Sequence, residues 1–154
     1  MTDKKSRVQL ASLVILRMSV GWYILYQGLI KYYTPSWSAK GYLAGSEGIF
    51  SGIFKALADS SVLGFIDFLN IYGQLAIGAG LILGLFSRVA GFAAILMLSL
   101  YYLAHPPFPG LGYSGNYVII NELFIMIVAL LVLIVFPTSR QIGLDRFIFD
   151  KRKN

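Results

Sequence analysis

Residues 13–33 read LVILRMSVGWYILYQGLIKYY, an apolar run that carries Arg17 within it and Lys31 near its end. About 20 apolar residues in a helix span about 30 Å, the thickness of a bilayer's hydrocarbon core. A cation inside such a run is costly in lipid and turns toward the protein interior. At 100° per residue, Arg17, Gly21, Gly28 and Lys31 fall on one stripe with Gln27 at its edge, and the remaining faces are aliphatic and aromatic. The stretch reads as a first transmembrane helix whose small and polar stripe faces partner helices.

Composition points the same way. Of 154 residues, 57% are hydrophobic and 13% charged, against roughly 45–50% and 25% in soluble domains. Mean hydropathy is +0.71. The chain therefore reads as a single integral-membrane domain, long enough for one small bundle. It has no cysteine, which excludes disulfides, iron–sulfur clusters, thiolate zinc sites and thiol redox chemistry on this chain. The net charge of +6 is carried largely by the ends. Lys4, Lys5 and Arg7 precede the first apolar run, and Arg140, Arg146, Lys151, Arg152 and Lys153 follow the last. The positive-inside rule accounts for both tails without nucleic acid, and places both termini in the cytoplasm. The first run is longer than a signal-peptide core and no small-residue cleavage pattern follows it, so no cleaved signal is expected.

Hydropathy and proline punctuation predict spans at about 8–33, 62–86, 89–104 and 117–136, with Pro35, Pro106 and Pro137 as stops. Arg88 marks the turn between the second and third spans as cytoplasmic. Between the first two spans, Ile49, Phe50, Ile53, Phe54 and Leu57 recur at helical spacing. They suggest either a short amphipathic helix on the outer surface or a packed loop that caps the bundle. In the second span, Asp67, Asn70 and Gln74 share a stripe, and Gly73, Gly80 and Gly84 lie on the next one, where glycine lets helices approach closely. The expected fold is all-α, a four-helix transmembrane bundle with an outer amphipathic loop helix.

Counted at about 1.5 Å per residue, Lys31, Asp67, Asn70, His105, Asn116, Asn121 and Glu122 lie in the outer half of the bilayer or at its outer edge. Lys31 and Asp67 come within reach of an ion pair, and Gln74, near the midplane, is the natural partner for Arg17. Polar groups converging from several helices beneath a long loop are what a small-ligand pocket needs. The plainer alternative is that they tie the helices together. A cavity between helices one, two and four, walled by Lys31, Asp67 and Glu122, would distinguish the two. His105 is the only histidine, so bis-histidine haem ligation within the chain is impossible, and neither haem nor metal is expected. No Ser/His/Asp spacing, phosphate loop or dinucleotide fingerprint occurs.

Three segments together resemble the DoxX/DoxD family of small four-span membrane proteins: LRMSVGWYILYQGLIKYY with its Gly-x-x-Lys ending, YGQLAIGAGLILGLFSRVAG with Gly-Leu-x-x-Arg, and NYVIINELFIMIVALLVLI with its glutamate. The resemblance reaches Arg17, Gly28, Lys31, Gly84, Arg88 and Glu122. Gln74 stands where many relatives have Glu, and Gln27 where many have His, so two titratable groups are missing. The resemblance implies a multi-pass protein of a prokaryotic cytoplasmic membrane. DoxD is a subunit of a thiosulfate:quinone oxidoreductase, and DoxX proteins are linked to membrane oxidoreductase complexes.

The expected function is accordingly a membrane oxidoreductase component that binds quinone, or a small sulfur-oxoanion donor, in the outer polar pocket. Arg17, Gln27, Lys31, Asn70, Gln74, His105, Asn116 and Asn121 would bind the ligand, and Glu122 with Asp67 would handle protons. The chain carries no redox group, so electrons must pass directly between bound molecules or through a second oxidoreductase subunit. Besides lipid, that subunit or a homo-oligomer is the expected partner. The alternatives are a non-catalytic assembly or anchoring subunit and a small-solute carrier.

Overall fold

Proline and glycine punctuate an otherwise helical chain. The computed structural model describes residues 2–108 and 119–149, with side chains for 6–108 and 119–148. Helix α1 (Thr2–Tyr33) stops just before Pro35. Two short helices, α2 (Lys40–Ala44) and α3 (Ser51–Ala58), occupy the connection that follows. Helix α4 (Leu63–Leu83) contains a π-helical turn at Leu69–Gly73. It ends on Gly84, whose left-handed φ of 64° is the usual glycine C-cap. Helix α5 (Ser87–Ala104) runs to the His105-Pro106-Pro107 stop, and α6 (Glu122–Val135) ends before Pro137. A 3₁₀ turn (Thr138–Arg140) and a short helix α7 (Asp145–Phe149) close the described chain.

The molecule is an all-helical membrane protein, and no strand occurs among the described residues. Ser6–Tyr33, Leu63–Leu83 and Ser87–Ala104 are long and apolar enough to cross a bilayer, and α6 is a shorter apolar helix. The fourth helix starts later than the expected residue 117. Asn121 is extended (φ −116°, ψ −177°) and its side chain accepts from the Phe124 N–H at 3.0 Å, so it caps the helix rather than lying inside it. Residues 117 and 118 lie outside the described residues.

Helix α1 packs antiparallel to α4 in one constant register. Gly28 faces Gln74 and Leu75, Leu25 faces Gly78, Gly21 faces Leu81 and Ile82, and Arg17 faces Gly84. A Cβ at Gly78 would stand 2.5 Å from the Leu25 nitrogen, so glycine there sets how closely the helices approach. Gly73, by contrast, faces open space, and Gly84 serves the helix end. Helix α5 joins α4 to α6, and α6 closes back on α1. Val20, Ile24, Leu81, Ala90, Ala94, Leu98 and Leu130 form the buried centre. A second core of Ala39, Leu43, Phe54, Ala58 and Ala104 seats α2 and α3 on the loop end of the bundle. Helix α3 buries Phe54 and Ala58 but leaves Ile49 and Ile53, on and just before it, exposed. It is the amphipathic loop helix that the spacing suggests.

This register sets the depth of the two cations on α1. Arg17 and Lys31 are separated by about 21 Å along the helix at 1.5 Å per residue. Arg17 is level with the α4–α5 turn, and Lys31 is level with the π-helical turn of α4, two turns in from its start. Arg17 therefore marks one end of the section packed against α4, whereas counting along α1 alone puts it near the midplane. The first turns of α1 extend past the bundle, which is why that count misleads.

Candidate functional site

Lys31 comes off the last turn of α1 on the stripe that faces α4 and α5. Its ammonium donates to Asn70 Oδ1 at 3.2 Å and to the Tyr101 hydroxyl oxygen at 2.9 Å. It also sits over the rings of Trp37, at 4.7 Å, and Tyr101, at 5.1 Å. Tyr101 in turn donates a short hydrogen bond to Asn70 Oδ1, and Asn70 Nδ2 donates to Ile66 O at 3.0 Å. No carboxylate among the described residues forms an ion pair with Lys31. A half-buried cation is thus held by neutral oxygens and ring faces, with no described carboxylate to cancel its charge.

Gln74 completes the cluster. It is 3% exposed; its Nε2 reaches the Tyr101 hydroxyl only at 3.4 Å, and its Oε1 has no hydrogen-bond partner. An unpaired buried acceptor costs about 1–3 kcal/mol. Asn70 lies within the π-helical turn and Gln74 follows it directly. Such turns recur at functional sites because the wider turn re-aims side chains.

The loop covers this end of the bundle. Asp67 Oδ1 accepts from the Ala39 N–H at 2.7 Å and thereby fastens the start of α2 to α4. Tyr42 donates from its hydroxyl to Tyr101 O at 3.1 Å, and its ring meets His105 edge-on at 4.3 Å. Burial pushes the Tyr42 hydroxyl up to about 12, which keeps it a neutral donor. His105 Nε2 lies 3.0 Å from the Tyr42 carbonyl. A carbonyl only accepts, so Nε2 carries the proton there.

The structure therefore unites Lys31, Asn70 and Gln74 and adds Tyr101, Trp37 and Tyr42, none of which the sequence singles out. His105 joins them only through Tyr42, and the rest stand apart. Asp67 pairs with backbone instead of Lys31. Gln27 is half-buried without a hydrogen bond to a described residue. Asn121 caps α6, and Glu122 is exposed beside it, with no hydrogen bond or ion pair to any described residue. The cluster belongs to α1, α4 and α5, whereas the sequence suggests a wall from the fourth span. Asn116 lies outside the described residues. Among those residues no three His, Cys, Asp or Glu side chains gather as a metal set would.

Arg17 is buried, as its stripe predicts, but its partner is not Gln74. Its guanidinium donates to Thr138 Oγ1 at 3.0 Å and to Ile142 O at 2.8 Å, and Nε has no partner. The segment after α6 folds back against α1 and α4, with Gly143 against Gly84. Asp145 fixes the same segment to the start of α5, accepting from the Phe86 N–H at 2.7 Å and the Ser87 N–H at 3.2 Å. Ser87 Oγ lies 2.6 Å from Ser139 Oγ and 3.2 Å from Asp145 Oδ2. Burial raises the Asp145 carboxyl, but hydrogen bonds from Ser139, Phe86 and Ser87 outweigh it and hold the group below its ordinary value. This end of the molecule is a closed polar lock. It also holds Phe86 at a left-handed φ of 47°, a conformation that needs such support.

Fold and cluster together define a small helical membrane protein with a half-buried lysine under a loop, paired with no described carboxylate, and a buried arginine hydrogen-bonded to Thr138 and Ile142 at the opposite end. The sequence model of the DoxX family matches residues 12–106. The chain belongs to the DoxX family. The match covers Arg17, Gln27, Lys31, Asp67, Asn70, Gln74 and His105, and ends before Asn116, Asn121 and Glu122. No curated protein and no solved structure gave a match.

Proposed function

We propose that the chain is a component of a membrane oxidoreductase and that the Lys31 cluster binds a quinone by its carbonyl oxygen. The observation that carries this reading is the Lys31 ammonium, half-buried with no carboxylate among the described residues to neutralise it. Such a donor stabilises negative charge growing on a quinone oxygen during reduction. The Gln74 carbonyl, buried and unpaired, is an acceptor for the hydroxyl of the quinol that forms. Aromatic faces at Trp37 and Tyr101 suit a flat ring. Quinone takes two electrons and two protons to become quinol. The donor, a small sulfur oxoanion by resemblance to DoxD, gives up two electrons directly or through a partner subunit. Protons come from the aqueous face beyond the loop. Asp67 and Glu122 stand outside the hydrogen-bonded cluster, so the reading rests on Lys31, Asn70, Gln74 and Tyr101.

The test is donor-dependent quinol formation in membranes containing the protein and its partners. Removing a preorganised donor to a developing oxyanion lowers turnover by about 10²–10³-fold, and Lys31→Gln is expected to do so. Glu122→Gln is expected to keep activity. Full activity in Lys31→Gln, or none in the wild type with any sulfur donor, would turn the reading to a non-catalytic assembly subunit.

A further inference from the structure

At the end of the molecule opposite Lys31, main-chain contacts hold the segment after α6 at one depth. The Leu144 N–H donates to Leu83 O at 3.0 Å and the Asp145 N–H to Gly84 O at 2.8 Å, so the segment runs beside the last residues of the α4 span. A Cβ on Gly84 would stand 2.8 Å from the Gly143 Cα, which shows how closely the two backbones meet. Helix α7 then sorts its side chains by direction. At 100° per residue, Phe147 and Ile148 share a face about 100° wide with Leu144 just before them, Asp145 lies beside that face, and Arg146 lies opposite it. Asp145 is buried and accepts from the Phe86 and Ser87 N–H groups. Leu144, Phe147 and Ile148 are exposed, Phe147 at 71%. Arg146 is exposed and pairs with no described carboxylate. Further along the sequence, Lys151, Arg152 and Lys153 follow Asp150, so bases outnumber acids from residue 146 to 153. An apolar strip is thus left without a protein partner among the described residues, at the depth where α4 leaves the hydrocarbon, with basic charge behind it.

We infer that this segment is an interfacial anchor whose partner is the anionic lipid surface at the membrane face where α4 ends. Leu144, Phe147 and Ile148 enter the boundary of the acyl chains, and Arg146, with the basic residues that follow it, meets the headgroup phosphates. An apolar strip backed by arginine and lysine is the pattern of segments that lie in the plane of an interface. Depth decides the occupant, because acyl chains already stand at this level and cover the strip directly. Charge decides the kind of lipid, because negative headgroups complement Arg146 and its basic neighbours. The long arginine side chain reaches the headgroups while its backbone stays at the strip. The polar lock gains a second role on this reading. Arg17, through Thr138 and Ile142, and Asp145, through Phe86 and Ser87, hold the anchor at a fixed height on the bundle.

The experiment uses the full chain in nanodiscs of equal phosphatidylglycerol and phosphatidylcholine. The chain has no cysteine, so Phe147→Cys provides a single attachment point for a fluorophore. In parallel samples one lipid or the other carries a nitroxide quencher high on its acyl chain. The label at Phe147→Cys should be quenched, and more strongly by the nitroxide phosphatidylglycerol than by the nitroxide phosphatidylcholine. A label at Arg146→Cys, on the opposite side of the helix, should be quenched less. Adding Arg146→Gln to Phe147→Cys should lower the phosphatidylglycerol preference roughly fivefold, the usual share of one basic residue at an anionic surface. Adding Lys55→Gln, at the other end of the molecule, should leave it unchanged. A label at Phe147→Cys that neither lipid quenches would show that water, a second copy or another subunit covers the strip, and would overturn the inference. Equal quenching by the two lipids, a preference that survives Arg146→Gln or is lost equally with Lys55→Gln, or equal quenching at positions 146 and 147 would overturn it as well.

Discussion

Gly78→Ala perturbs the register on which both polar layers depend. A Cβ at this position would stand 2.5 Å from the Leu25 nitrogen and 2.7 Å from its Cα and Cβ. Two of these three are backbone atoms of α1, so no change of rotamer relieves the contact. Reaching an ordinary separation of about 3.5 Å requires the helices to part by roughly 1 Å, and a gap of that size forfeits a quarter to a half of the dispersion well of each facing atom pair. Overpacking of this kind costs about 1–3 kcal/mol, and alanine returns about 1 kcal/mol of helix propensity. The expected net loss is therefore up to about 2 kcal/mol. Gly73→Ala is the control, because nothing lies within 4 Å of that position. The assay is denaturant unfolding of the purified protein in mild detergent, followed by helical circular dichroism. A Gly78→Ala protein as stable as the Gly73→Ala control would refute the assigned register.

Other consequences follow from the lock and the caps. Arg17→Met removes two charge-assisted hydrogen bonds, each of about 1.5–3 kcal/mol, and should release the segment from Thr138 to Phe149 to limited proteolysis while α1–α4 packing persists. Asp145 has a folded pKa below the unfolded value of 3.8, so its contribution is complete above that pH and is lost as pH falls through the lowered folded value. Acid titration of the protein should show that loss, and Asp145→Asn should abolish it while lowering stability at neutral pH. Asn121→Ala should cost about 1 kcal/mol through the lost cap, measured by the same unfolding assay, without affecting the Lys31 cluster.

The spans were legible because apolar runs of membrane length, each ended by proline or glycine, leave few alternatives. The inward faces of Arg17 and Lys31 followed from one helical stripe. The partners of both residues did not. Arg17 meets Thr138 and Ile142, which belong to a polar segment whose few residues give no periodicity to announce that it folds back. Lys31 meets Asn70 rather than Asp67, although both lie on one stripe at 100° per residue. The π-helical turn beginning at Leu69 falls between them and breaks that stripe. Tyr101 was hidden for a different reason: a tyrosine near a helix end is also what a membrane interface selects, so residue type alone could not assign it to a cluster. Glu122 drew attention as a charge beside an apolar helix, but a carboxylate in a first turn is equally a helix-dipole partner, and its exposure fits that role.

The most direct test of the central claim is the quinone content of the purified protein. Wild type and Lys31→Gln are to be isolated from the same membranes, extracted with organic solvent, and the quinone measured per mole of protein. Loss of one hydrogen bond from a charged donor weakens binding by about ten- to a hundredfold. The account predicts quinone bound to the wild type and at least a tenfold reduction in Lys31→Gln; a wild type without quinone, or a variant that holds as much, would contradict it.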